Sequence, residues 1–156
     1  MIELTIKGLL PLGKAASGKA NELAELLVKA LWKSGYEVEK RAADSAQSLF
    51  NHPTGNLPAS IHTEVDAAQL VAQVGTNLVY ARLRELGGTV RPVRATVLHW
   101  MEGGRHLFAY ETHHTGRPYL IPALKDSRSA IEEYMGKVLQ DVVSDLAKAS
   151  KSEGGI

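Results

Sequence analysis

The chain has 156 residues, 18 lysines and arginines against 17 aspartates and glutamates, and no cysteine. That length suits one domain with a sizeable core, and the missing thiols exclude disulfides, thiolate metal sites and a cysteine nucleophile. A formal net charge of +1 gives no global drive toward nucleic acid, and no apolar run reaches the roughly 18 residues of a membrane span, so a soluble chain without a membrane partner is expected.

In chain order, Ile2, Leu4 and Ile6 alternate with Glu3 and Thr5, which predicts a first strand over 2–6. Glu3 sits where a secretory signal needs basic charge, so export by that route is not expected. A turn region, Gly8-Leu9-Leu10-Pro11-Leu12-Gly13, follows, and Ser17 is a candidate N-cap. Leu23, Leu26, Leu27, Ala30, Leu31, Val38, Ala42 and Leu49 then form an apolar stripe at helical spacing, predicting a helix that reaches Phe50. Gly35 is a candidate kink within it, and Asn51-His52-Pro53 stops it, because the residue before proline is pushed out of the helical region.

The middle of the chain reads as antiparallel β-structure. Residues 59–65 and 70–74 flank Asp66-Ala67-Ala68-Gln69, which suits a hairpin with a four-residue loop. Residues 96–101 and 105–111 surround Glu102-Gly103-Gly104, and a two-residue Gly-Gly turn would set Trp100 opposite Leu107 and Leu98 opposite Ala109. The other face would carry Val97, His99, Met101, His106, Phe108 and Tyr110. Both faces are largely apolar, so cover from the chain's own helices, and from a neighbouring subunit, is expected.

From Asp126, the residues Ile131, Tyr134, Met135, Val138, Leu139, Val142 and Leu146 predict a second amphipathic helix, and the polar, glycine-containing segment 148–156 reads as a flexible tail. The expected fold is a single α+β domain over 1–156, an antiparallel sheet packed against a long N-terminal helix and a C-terminal helix.

Catalytic patterns are weak. Gly8 to Lys14 has the spacing of a phosphate-binding P-loop, but Ala15 stands where a hydroxyl should hold magnesium, and the loop lacks interior glycines. There is no nucleophile elbow and no paired carboxylate, so no enzyme and no cofactor is expected. His99 and His106 would be diagonal neighbours on one hairpin face, with His113, His114 or Glu111 as a third metal ligand; polar loop histidines explain the same pattern. Every basic residue between Lys40 and Lys125 is arginine, and Arg82, Arg84, Arg91, Arg94 and Arg105 fall in one stretch with only Glu85 and Glu102. These suit phosphate contact or pairing with carboxylates of another subunit, though strands and loops that avoid lysine give the same bias.

Three motifs of proline, glycine and apolar anchors, read in order, carry a family resemblance. They are Pro53-Thr54-Gly55-Asn56-Leu57-Pro58-Ala59-Ser60-Ile61, then Tyr80-Ala81-Arg82-Leu83-Arg84-Glu85-Leu86-Gly87, then Arg117-Pro118-Tyr119-Leu120-Ile121-Pro122-Ala123. With a strand ending near Gly8, a long helix, and a strand ending in Val74-Gly75, this order resembles the small neck or tail-completion proteins of long-tailed phages, the tail-component and virion morphogenesis type. Tyr119 stands where that family usually has phenylalanine.

The resemblance implies a non-enzymatic virion subunit, assembled in the host cytoplasm into a sixfold ring at the head–tail junction. Its partners would be other copies of itself and the neck, portal-side and tail-tube proteins, with non-specific contact to DNA in the bore. A tail terminator or a head-closure ring subunit fits the same logic, and a P-loop-like nucleotide-binding module is the distant alternative. Arg91 and Arg94, with Arg82 and Arg84, are the candidate interface or bore residues. The motif residues Pro53, Thr54, Gly55, Tyr80, Glu85, Gly87, Arg117, Pro118, Tyr119 and Pro122 are expected to act structurally, the two late prolines by fixing the start of the last helix.

Overall fold

Two long helices laid along each other form the frame of the molecule, and the computed structural model describes residues 2–7, 19–50 and 56–153. The first helix, α1 (Lys19–Leu49), buries Leu27, Ala30, Leu31, Ser34, Val38, Ala42 and Ala46, a stripe at three- and four-residue intervals. The last helix, α4 (Leu120–Glu153), answers with Leu120, Ala123 and Ser127. The small residues Ser34, Ala42, Ala46, Ala123 and Ser127 are all buried. Ser127 donates its hydroxyl back to the Ala123 carbonyl at 2.8 Å, which spares it a desolvation cost.

Against the other side of α1 lies a three-stranded antiparallel sheet of β1 (Ile2–Lys7), β2 (His62–Asp66) and β3 (Val71–Thr76), in the order β1-β3-β2. The register sets Leu4 opposite Val74 and Thr63 opposite Val74 from the other side. Alternate residues of β3, Ala72, Val74 and Thr76, are buried, as the period of two requires for a sheet with one covered face. Gly35 does not break α1, which runs through it unbroken. Its role is space: a Cβ there would lie 2.3 Å from Thr63 Cγ2, so glycine lets β2 approach the helix.

Several expectations shift by a few residues. Ala59 and Ser60 belong to a short helix, α2 (Asn56–Ser60), rather than to the strand that follows. A hydroxyl chain explains it. Ser60 Oγ donates to the Leu57 carbonyl at 2.8 Å, leaving Thr76 to donate to Ser60 at 2.7 Å, and Thr76 accepts from the Leu78 amide at 3.2 Å. The β2–β3 loop is 67–70, because Asp66 pairs with Val71 while its Oδ1 accepts from the amides of Ala68 and Gln69. The last helix begins at Leu120, six residues before Asp126, and its backbone continues to Glu153 through most of the segment read as a tail. The P-loop-like Gly8–Lys14 stretch, the Ser17 cap, and Pro53, Thr54 and Gly55 lie outside the described residues.

Between β3 and α4 come α3 (Ala81–Leu86) and four strands: β4 (Gly87–Val90), β5 (Leu98–Glu102), β6 (Arg105–Ala109) and β7 (Thr112–Thr115). β4 pairs with β7 and β5 with β6, both antiparallel, as two ribbons separate from the main sheet. The β5–β6 register has the expected pairs, Trp100 with Leu107 and Leu98 with Ala109, around Gly103 and Gly104. Both glycines have positive φ, 56° and 78°, as a two-residue turn matching strand twist demands. The expected cover from the helices is absent among the described elements: β5 and β6 pack on each other and only sparsely on anything else.

Candidate assembly surface

The second and third sequence motifs meet at one buried carboxylate. Glu85, on α3, is buried, and its Oε2 accepts the backbone N–H groups of Tyr119 and Leu120 at 2.8 and 3.0 Å. Its Oε1 accepts the Ile121 N–H at 3.0 Å. A helix start leaves its first amides without internal partners and carries partial positive charge, so one carboxylate satisfies three donors and complements the dipole. The expected fixing of this helix start by Pro118 and Pro122 is therefore secondary. Pro122 is tolerated because it sits in the first turn, and the Glu85 carboxylate, 34 residues upstream of Tyr119, does the holding.

Beside this cap, the Arg117 N–H donates to the Arg84 carbonyl at 2.8 Å. Gly87 has φ of 72°, and a Cβ on it would lie 2.5 Å from the Gly116 nitrogen, so the chain leaving α3 and the chain reaching α4 press together as bare backbone. Tyr119 is fully buried, edge-on to Phe50 with centroids 6.0 Å apart. The core around it holds Leu57 and Ile61 of the first motif, Ala81 of the second, and Leu120 and Ala123 of the third. Tyr80 is exposed, and the Tyr119 hydroxyl is buried with no hydrogen-bond partner among the described residues. Burial, with the nearby Glu85 charge and Tyr80 adding to it, pushes the Tyr119 hydroxyl up to about 12.

From this junction residues 87–115 leave and return as an arm. The β4–β7 ribbon is its stem, the β5–β6 hairpin is nested within it, and 91–97 on one side against 110–111 on the other interrupts the pairing. Arg91 Nε donates to Glu111 Oε2 at 2.7 Å across this interruption, and His113 Nε2 lies 3.1 Å from Glu111 Oε1. The Arg91 hydrogen bond and charge hold the Glu111 carboxyl below its ordinary range, with His113 adding to the effect. Arg91, expected as an interface residue, is thus engaged within its own chain. Arg94 is exposed in the same interruption, Arg82 is exposed on α3, and the Arg84 guanidinium lies 5.3 Å from the Phe50 ring centre.

The hairpin exposes apolar groups. Met101 and Phe108 are each 64% exposed, Tyr110 is 75% exposed and Trp100 is 37% exposed. Paired residues share a face, so His99, Met101, His106 and Phe108 form one side, and Leu98, Trp100, Leu107 and Ala109 form the half-covered other. His99 Nε2 lies 2.8 Å from His106 Nδ1, as their diagonal placement predicts. The expected third ligand does not join them. His113 and Glu111 bond each other and His114 bonds Thr112, all at the stem, and no group of three or more histidines and carboxylates among the described residues could hold a metal.

An open cleft of about 330 Å³ lies where stem meets core, lined by Phe50, Leu83, Arg84, His113, His114, Thr115 and Arg117. No helix among the described residues is long and apolar enough to cross a membrane. Comparison with protein-family models, with curated proteins and with solved structures finds no match.

Proposed function

We propose that the chain is a non-enzymatic structural subunit of a tailed-phage virion, forming a ring at the head–tail junction by docking its arm on the next copy. The observation that carries this reading is the β5–β6 ribbon, where Met101 and Phe108 are exposed on one face, with Tyr110 exposed just beyond its end, and which the chain's own helices leave uncovered. Apolar side chains clustered on a protruding ribbon favour burial in a partner, at roughly 25 cal/mol per Å² removed from water. The motif resemblance supplies the context, and the Glu85 junction suits it, because a rigid root converts a hairpin into an aimed connector.

In this reading Arg94 and Arg82, both exposed, are available to carboxylates of neighbouring subunits or to DNA phosphates in the bore. The ring would contact portal-side and tail-side rings, in the tail-completion role or as a terminator or head-closure subunit. Electron microscopy of assembled particles tests the placement: density for this chain as a ring between portal and tail tube is expected, and its absence from the virion would contradict the reading.

A further inference from the structure

The β5–β6 hairpin carries an imidazole pair on the same face as Met101 and Phe108. His99 Nε2 and His106 Nδ1 are 2.8 Å apart, with rings 11° from parallel and centroids separated by 5.0 Å. Strand register produces this: His99 pairs with Phe108 and Met101 with His106, so the two histidines are diagonal neighbours on one face. Both are exposed, and the Phe108 ring stacks on His99 at 4.8 Å from the other side. A hydrogen bond between two neutral imidazoles needs one N–H and one lone pair, so this contact is two ring nitrogens sharing a proton.

We propose that His99 and His106 form a two-ligand site for a late first-row divalent cation, Cu²⁺ or Ni²⁺ in preference to Zn²⁺. Metal–imidazole bonds are roughly 2.0–2.1 Å, so two of them at a right angle place their nitrogens about 2.9 Å apart, and at a tetrahedral angle about 3.3–3.4 Å. The observed 2.8 Å is a hydrogen-bond contact that shows the two nitrogens can come within chelating reach once the rings turn, and the preference for Cu²⁺ and Ni²⁺ follows the general affinity order of divalent ions for imidazole nitrogen. Exposure leaves both rings free to turn until their lone pairs converge on the ion. One ring moves its proton to the far nitrogen through solvent, both imidazoles stay neutral, and water fills the other coordination positions. Linking adjacent strands beside the Gly103-Gly104 turn, the ion stiffens the arm tip.

Titration of the whole chain with Ni²⁺, Cu²⁺ and Zn²⁺ by calorimetry, with NMR broadening by Cu²⁺ to locate the ion, tests this. One ion per chain is expected, with broadening centred on His99 and His106 and Ni²⁺ held more tightly than Zn²⁺. His99→Ala or His106→Ala should each weaken binding at least tenfold with the circular dichroism spectrum unchanged, while His113→Ala leaves it intact. Unaltered affinity in the His99→Ala/His106→Ala double variant, broadening centred on His113 and His114, or tighter Zn²⁺ than Ni²⁺ would each overturn the proposal.

Discussion

Glu85 serves the fold where a buried carboxylate would suggest chemistry. All three of its hydrogen bonds go to backbone amides of the α4 start, and it is buried, so removing it strands three donors. Glu85→Ala should cost about 3 kcal/mol or more in urea unfolding, since each unsatisfied buried group costs roughly 1–3 kcal/mol. Tyr119 makes the opposite prediction. Its hydroxyl is buried without a partner among the described residues, so Tyr119→Phe should be neutral or stabilising by up to about 1 kcal/mol. The wild-type chain should also lose stability as pH rises from 10 toward about 12, because the unfolded phenol ionises first, and Tyr119→Phe should remove that part of the loss. His62 is held above its ordinary 6.5, first by its hydrogen bond to the Ser60 carbonyl, against the opposing effect of burial, with Glu64 and then Glu39 adding to the rise. Its contribution is complete below pH 6.5 and is lost as pH rises through the folded value. An NMR titration should place His62 above 6.5, and Glu64→Gln should lower it.

At the level of elements, the contact of α1 with β2 depends on a missing side chain. Gly35→Ala would gain up to about 1 kcal/mol of helix propensity, but it drives a methyl into Thr63 Cγ2, and overpacking costs roughly 1–3 kcal/mol. Net destabilisation of about 1–2 kcal/mol is expected, and Thr63→Ser, which removes Cγ2, should rescue most of it in a double-mutant cycle. The same position marks a limit of sequence reading: glycine in a helix suggests a kink locally, and only the neighbouring strand reveals a spacing role. What the sequence made legible is periodic or local. The α1 stripe and the Gly103-Gly104 register needed no distant information, and the α+β class followed from them. The α4 start, the α2 turn and the Glu85 cap were not legible, because each is decided by partners 16 to 36 residues away. The apolar hairpin faces predicted cover, and sequence had no means of showing that the chain's own helices leave them open.

For the whole molecule, the three motifs locate a root rather than a catalytic site. Leu57, Ile61, Ala81, Tyr119 and Leu120 share one core, and the arm leaves from it between Gly87 and Gly116. In the proposed ring, this arrangement would separate stability from association: the root holds the fold together, and the β5–β6 ribbon carries exposed apolar groups. Arg91 and Arg94 are both exposed, but Arg91 is tied to Glu111 across the interruption of the arm, so the two arginines, equivalent in sequence, stand in different settings. The most direct test is sedimentation velocity of the wild-type chain beside a Met101→Ser/Phe108→Ser variant. Wild type should sediment as a closed ring of several copies, six by the family resemblance, and the variant as a folded monomer with unchanged circular dichroism. A wild-type chain that stays monomeric at high concentration, or a variant that assembles equally well, would contradict the account.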